Sequence, residues 1–287
     1  MNVGICMLKL WVMLKASRYN DVTRFDLART LGGRGRYWTT CYLVSKMMID
    51  TGCAHTADEL VIALIDSPIL RIVNTHTHED HIGANGILQS QLRNVEILAH
   101  PQAIQVLSDP SHEQPLQLYR RIFWGWPEPS EAKAVEDDEI IEADTFSYRV
   151  IYTPGHSTDH ICLYEQNHGW LFTGDLFVGG SDRALRAGYD IWQIIDSLKR
   201  VVELPISVLF PGSARVREQP QQELVSKISY LEELGGKILE LHQSGWGVNA
   251  IVRSLLGGPM WVEIVTMGHF ARYRLVNSYL GKNGDLR

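Results

Sequence analysis

His76-Thr77-His78-Glu79-Asp80-His81 sets three imidazoles and two carboxylates into six residues. His76 and His78 are one residue apart, so in an extended backbone both side chains leave on the same face and can grip one cation. Asp80 and His81 follow where the chain turns toward Gly83; directed elsewhere than the first pair, they can serve a second cation nearby. A core segment this polar needs several buried partners at once. The bland alternative is a solvated surface loop, and Glu79, between the donors, reads as solvated in either case. Just upstream, Leu70-Arg71-Ile72-Val73 is a short run of buried-strand type, which places the histidines on a loop after a strand.

Two distant segments offer more donors. In Tyr152-Thr153-Pro154-Gly155-His156-Ser157, Pro and Gly force a tight turn that can lift the His156 ring from a sheet edge. In Leu171-Phe172-Thr173-Gly174-Asp175 a carboxylate follows a strand, and its two oxygens can bridge two cations. Each alone is a weak signal. Together with the early Met48-Ile49-Asp50-Thr51-Gly52 hairpin, their order and spacing resemble the metallo-β-lactamase superfamily over about residues 5–215. The resemblance implies a four-layer αββα sandwich, of the α/β class, with a metal cleft at one edge of its paired sheets. It also implies that His76, His78 and His156 bind a first metal, that Asp80 and His81 bind a second, and that Asp175 bridges them. Zinc, one or two ions per chain, is the expected metal, with iron and manganese as the alternatives.

One departure stands out. The family commonly ends its metal set with a histidine in P-G-H, whereas this chain reads Pro211-Gly212-Ser213. A neutral hydroxyl is a far weaker ligand than imidazole, so the second site is expected to be looser or empty. His269 and His242 are the candidate substitutes from the tail. His160 reads either as bracing a ligand or as a strand-edge histidine with a structural bond.

The rhythm around these motifs is α/β. Strands are expected over 5–14, 36–44, 47–50, 95–99, 148–152, 161–164, 170–173 and 208–210, with helices over 56–65, 85–92, 101–107 and 188–202. From residue 221 helices take over (224–240, 248–255 and 269–280), which divides the chain into a 1–220 core and a 221–287 helical module packed on it. The helical extension and the 152–160 segment make the chain similar to the glyoxalase-II-like, lactamase-like branch, which includes RNA-cleaving members. Tyr119, Phe123, Trp124 and Trp126 make residues 116–129 too aromatic for an idle loop, so this stretch is either a pocket wall or a local hydrophobic plug.

A formal charge of −6 disfavours broad attraction to nucleic acid or to an anionic membrane. Arg120, Arg121, Arg183 and Arg186 can meet an anionic substrate, with ordinary surface charge as the default reading. Cys6, Cys41, Cys53 and Cys162 form no C-x-x-C pair, which suits a reducing cytoplasm. The apolar opening run is interrupted by Lys9 and preceded by no basic residue, so a soluble protein without an export signal is expected. The leading functional expectation is attack on a small ester, thioester or lactone by a metal-activated water, with Asp80 as the catalytic proton carrier. Cleavage of RNA or a nucleotide, a mononuclear iron sulfur-dioxygenase-like reaction, and a non-catalytic regulatory role are the alternatives. The expected partner is a small-molecule substrate, and a homodimer stays open.

Overall fold

The computed structural model describes residues 6–281 except positions 10, 11, 32, 33, 93 and 259. The expected strand over 5–14 lies partly outside these residues; its described part is two antiparallel strands, β1 (Cys6–Lys9) and β2 (Val12–Tyr19). They continue into β3 (Val22–Leu31), β4 (Arg34–Val44), β5 (Met47–Ile49), β6 (Arg71–Val73), β7 (Glu96–Ala99) and β8 (Ala132–Ala134), which lie in sequence order in one eight-stranded sheet. The β1–β5 part is an antiparallel meander, and β5 to β8 run parallel. Parallel neighbours need crossovers. These are α1 (Ala57–Ala63), α2 (Asn85–Gln91), and the series α3 (Ile104–Ser108), α4 (Pro110–Glu113) and α5 (Leu118–Trp124).

The second sheet holds β9 (Ile140–Ala143), β10 (Phe146–Tyr152), β11 (Ile161–Glu165) and β12 (Trp170–Gly174). After the short β13 (Leu185–Arg186) and α6 (Ile191–Val202), β14 (Val208–Pro211) returns parallel to β12. The α6 helix starts three residues later than its expected 188 because Asp190 caps it, accepting from the Trp192 and Gln193 amides. The tail comprises α7 (Pro220–Gln243), α8 (Val248–Ile251), α9 (Trp261–Val265), β15 (Phe270–Ala271) and α10 (Arg272–Tyr279).

The apolar runs of the strands explain the layering, because each run feeds two cores by alternation. In β4, Tyr42 and Val44 enter the core between the sheets, while Cys41 and Leu43 face the core under α1 and α2. In β14, Val208 and Phe210 join the inter-sheet core, and Leu209 faces the core shared with α6 and the tail. Three cores in series require four layers, α, β, β and α, and this is the αββα sandwich. The tail is welded on by Leu224, Ile228, Leu231, Leu234 and Ile238 of α7, all in the outer core and spaced by three or four residues as a helix stripe demands. No helix among the described residues is long and apolar enough to cross a membrane.

The strand β3 was not expected. Its buried Phe25 and Leu27 alternate with Arg24 and Asp26, whose own ion pair at 2.6 Å lies on the other face, and the charges hide the period. In the tail, the expected 269–280 helix begins only at Arg272, because Phe270 and Ala271 pair with Arg186 and Leu185 in a two-stranded ribbon.

Candidate metal centre

Four chain segments leave strands at the same edge of the sandwich: after β6, β10, β12 and β14. The two sheets are stitched there by Thr40 N donating to Gly212 O at 2.6 Å and Ile161 N to Thr75 O at 2.8 Å. His76, His78 and His156 converge so closely that His76 Nε2 and His156 Nε2 lie 2.8 and 3.0 Å from His78 Nδ1. A second group joins His76 to His81 and Asp175, with His81 Nε2 3.6 Å from Asp175 Oδ2. Within each group the donor atoms lie within 4.8 Å of one another, and His76 belongs to both.

Asp50 organises this floor. It occupies a left-handed conformation (φ 59°) at the end of β5, from which Oδ1 accepts the Thr75 amide at 2.7 Å. Its Oδ2 accepts from Thr75 Oγ1 at 2.8 Å and from His81 Nδ1 at 2.7 Å. The Nδ1 bond holds the His81 ring so that Nε2 faces the centre, where giving up its proton would make it a ligand, the usual way a carboxylate positions a metal-binding imidazole. The sequence placed Asp50 only in a turn, and its orienting role appears once Thr75 and His81 are beside it. Asp50→Asn is expected to weaken metal affinity by roughly 10- to 100-fold, read by competition with a chromophoric chelator.

Two motif glycines have steric reasons. A Cβ on Gly174, whose φ is 46°, would lie 2.6 Å from Thr75 Oγ1 and 2.8 Å from His160 Nε2. On Gly212 it would lie 2.6 Å from His81 Cε1 and 2.8 Å from Asp175 Oδ1. The donors therefore sit where only bare backbone can pass behind them.

The electrostatics favour a cation. Burial, reinforced by the neighbouring histidines, holds His76 and His160 well below the ordinary range. Burial followed by the Arg186 charge does the same to His78, and burial lowers His156 to about 4. These rings are neutral, with lone pairs available. Burial alone would depress His81, but Asp50 and Asp175 outweigh it and raise it well above its usual value. Burial alone would raise Asp175, yet His81 and the other imidazoles hold it well below the carboxylate range.

The donor set fits a metal on one structural ground besides its chemistry. The buried Nε2 atoms of His81 and His160 have no hydrogen-bond partner among the described residues, and a buried polar atom without one is costly. His160 donates or accepts through Nδ1 at Thr153 Oγ1, 2.8 Å away, and its ring lies 5.1 Å from that of His76. It stands outside both donor groups. So does Asp80, half-buried at the cavity wall, which burial and the Glu79 and Asp175 charges, against the opposing pull of His81, push up to about 7. Ser213 also borders the cavity, where its Oγ lies 3.4 Å from Asp175 Oδ1. Neither tail histidine joins the donors: His269 Nδ1 pairs with Tyr119 OH at 2.6 Å, and His242 lies near the Trp246 carbonyl.

Above the donors opens a cavity of about 420 Å³. Tyr37, Tyr119, Phe123 and Trp124 form one side, and Val262, Val265 and Phe270 from the tail form another. Trp126, expected with the other aromatics, is absent from this lining and lies 4.7 Å from the exposed Arg121 guanidinium as a cation–π partner. Two further expectations are corrected. Glu79 is not solvated: it is 1% exposed and bonded by Arg120 Nε at 2.6 Å and by Arg120 Nη2. Arg120 is correspondingly no surface charge, and Arg186 is half-buried at the cavity wall, whereas Arg183 is exposed. No local sequence signal announces the Glu79–Arg120 pair, since 41 residues separate the partners.

Residues 35–213 match the family model described as the metallo-beta-lactamase superfamily. Among curated relatives, an atrochrysone carboxyl ACP thioesterase of Aspergillus fumigatus is 26% identical over 72% of this chain. The chain spans 62% of that relative's length. Among solved structures, a beta-lactamase domain protein from Burkholderia ambifaria superposes over 99% of this chain and 89% of its own, with a TM-score of 0.61 at 17% identity. Another chain, solved in a di-iron-bound form, covers 66% of this chain and 94% of its own, with a TM-score of 0.54 and 24% identity. With the family model covering more than half of its length and both donor groups assembled at the sandwich edge, this chain belongs to the metallo-β-lactamase superfamily.

Proposed function

We propose that the chain is a metal-dependent hydrolase of small acyl compounds, with thioesters first and esters and lactones next. The observation that carries the reading is the convergence of His76, His78 and His156 on the floor of a cavity walled mainly by aromatic and aliphatic side chains. Such a cavity suits an apolar acyl body presented to a polar floor. The thioesterase relative supports the thioester as the first choice.

His76, His78 and His156 would hold a metal, with His76, His81 and Asp175 as a second position, and a metal bound there would supply an acidified water at neutral pH and polarise a scissile carbonyl. Zinc suits this nitrogen-rich set, and His76, shared by both groups, is the pivot. Asp50 positions the His81 ring. Asp80, at the cavity wall beside the donors, is placed to accept a proton and return it to the leaving thiol or alcohol. The aromatic wall excludes water from the acyl body. Ser213 leaves the second position one imidazole short of the family's set, so a single tightly held metal is the resting stoichiometry.

The test is a panel of acyl thioesters, esters, lactones and RNA assayed on purified protein, alongside elemental analysis. Turnover of acyl substrates that a chelator removes and zinc restores is the expected outcome. Iron as the native metal with oxygen consumption, or cleavage confined to RNA, would overturn the reading.

A further inference from the structure

Three cations line the cavity, and two of them are neutralised within the protein. Arg120 holds Glu79, and Lys227 Nζ meets Asp182 Oδ2 at 2.7 Å. Arg186 has no carboxylate within ion-pair distance among the described residues. Its guanidinium lies 5.7 Å from the centre of the Tyr189 ring and hydrogen-bonds to that side chain. The Tyr189 ring in turn stacks on His78 at 5.7 Å and lies 4.4 Å from His156. One aromatic ring thus separates a guanidinium without a direct ion pair from the donor cluster.

The position of Arg186 is fixed by backbone. It pairs with Phe270 in the β13–β15 ribbon, and the next amide, Ala187 N, donates to His269 O at 2.8 Å. Glu79 acts on Arg186 only from beyond ion-pair distance and is itself ion-paired to Arg120, so an anion entering the cavity meets a guanidinium that no carboxylate among the described residues caps directly. The planar fork of arginine matches a carboxylate through two parallel hydrogen bonds, which a solvent-poor cavity strengthens.

We infer that Arg186 is an anion-reading subsite, and that the preferred substrates carry a carboxylate beside an apolar, aromatic-sized body. This deepens the acyl-hydrolase reading and rests on it for the bond that is broken, whereas the subsite itself rests on Arg186, Tyr189 and the cavity wall.

The experiment has a binding arm and a kinetic arm, each run on the purified protein and on Arg186→Gln and Arg186→Lys. In the first, calorimetry compares benzoate with its uncharged counterpart benzamide; any contribution of a bound metal to benzoate affinity is common to all three proteins. The benzoate-to-benzamide affinity ratio is expected to fall at least ten-fold in Arg186→Gln and to recover in part in Arg186→Lys. In the second, the kcat/KM ratio of carboxybenzoyl to benzoyl thioesters is expected to fall by a similar factor, mainly through KM. An affinity ratio unchanged by Arg186→Gln in a protein with native circular dichroism overturns the subsite. Thioester turnover without any carboxylate preference also sinks it while sparing the hydrolase reading. Arg186-dependent benzoate binding with no turnover of any acyl compound does the reverse.

Discussion

His76→Ala is expected to abolish metal retention and to remove nearly all turnover. His76 is common to both donor groups, so its loss leaves each with two ligands, one pair being His78 and His156 and the other His81 and Asp175. A metal ion contributes several kcal/mol of transition-state stabilisation, and each tenfold in rate is about 1.4 kcal/mol, so a loss on the order of 10³-fold or more is expected. The check is elemental analysis beside thioester kinetics. His112→Ala is the control, because the His112 side chain is 79% exposed and pairs with its neighbour Glu113, away from both donor groups. Metal retained at wild-type occupancy in His76→Ala would place the centre elsewhere.

Arg120→Met is expected to cost about 3–5 kcal/mol of folding stability, because it strands the Glu79 carboxylate in a buried position. Burial alone would raise the Glu79 pKa, and the Arg120 guanidinium holds it below its usual range. The pair is 3% and 1% exposed, so solvent cannot take the missing partner's place. The effect reaches the metal floor as well, since Glu79 lies between His78 and Asp80 while Arg120 sits on α5 with Tyr119, Phe123 and Trp124. Urea denaturation measures the loss. The double variant Glu79→Leu/Arg120→Met, which removes both charges, is expected to recover most of it; a double variant as unstable as the single one would show that shape, not charge, is what the site requires.

The parts of the molecule that sequence disclosed share a physical property: their signal is local. The ligand loop is conspicuous because three imidazoles in six residues fit no ordinary core or turn. β11, β12 and β14 are conspicuous because burial on both faces makes them continuous apolar runs. What escaped is set by distance or disguise. β3 carries its charges on one face of a half-buried strand. Asp50 looks like a turn residue until Thr75 and His81, 25 and 31 positions away, are folded against it. Glu79, Arg120 and Arg186 look like surface charge because nothing in their neighbours in sequence reveals the partners or the cavity that surround them. The cavity wall contributed by residues 262–270 was the least legible, since it depends on a two-residue strand pairing across more than eighty positions.

That small ribbon has an evolutionary consequence. The donor groups are written between residues 76 and 175, while part of the cavity wall is written separately at residues 262–270. Mutations there are free to change which molecules are admitted while the chemistry performed on them stays constant. A lineage carrying this architecture can diversify its diet without reinventing its catalyst.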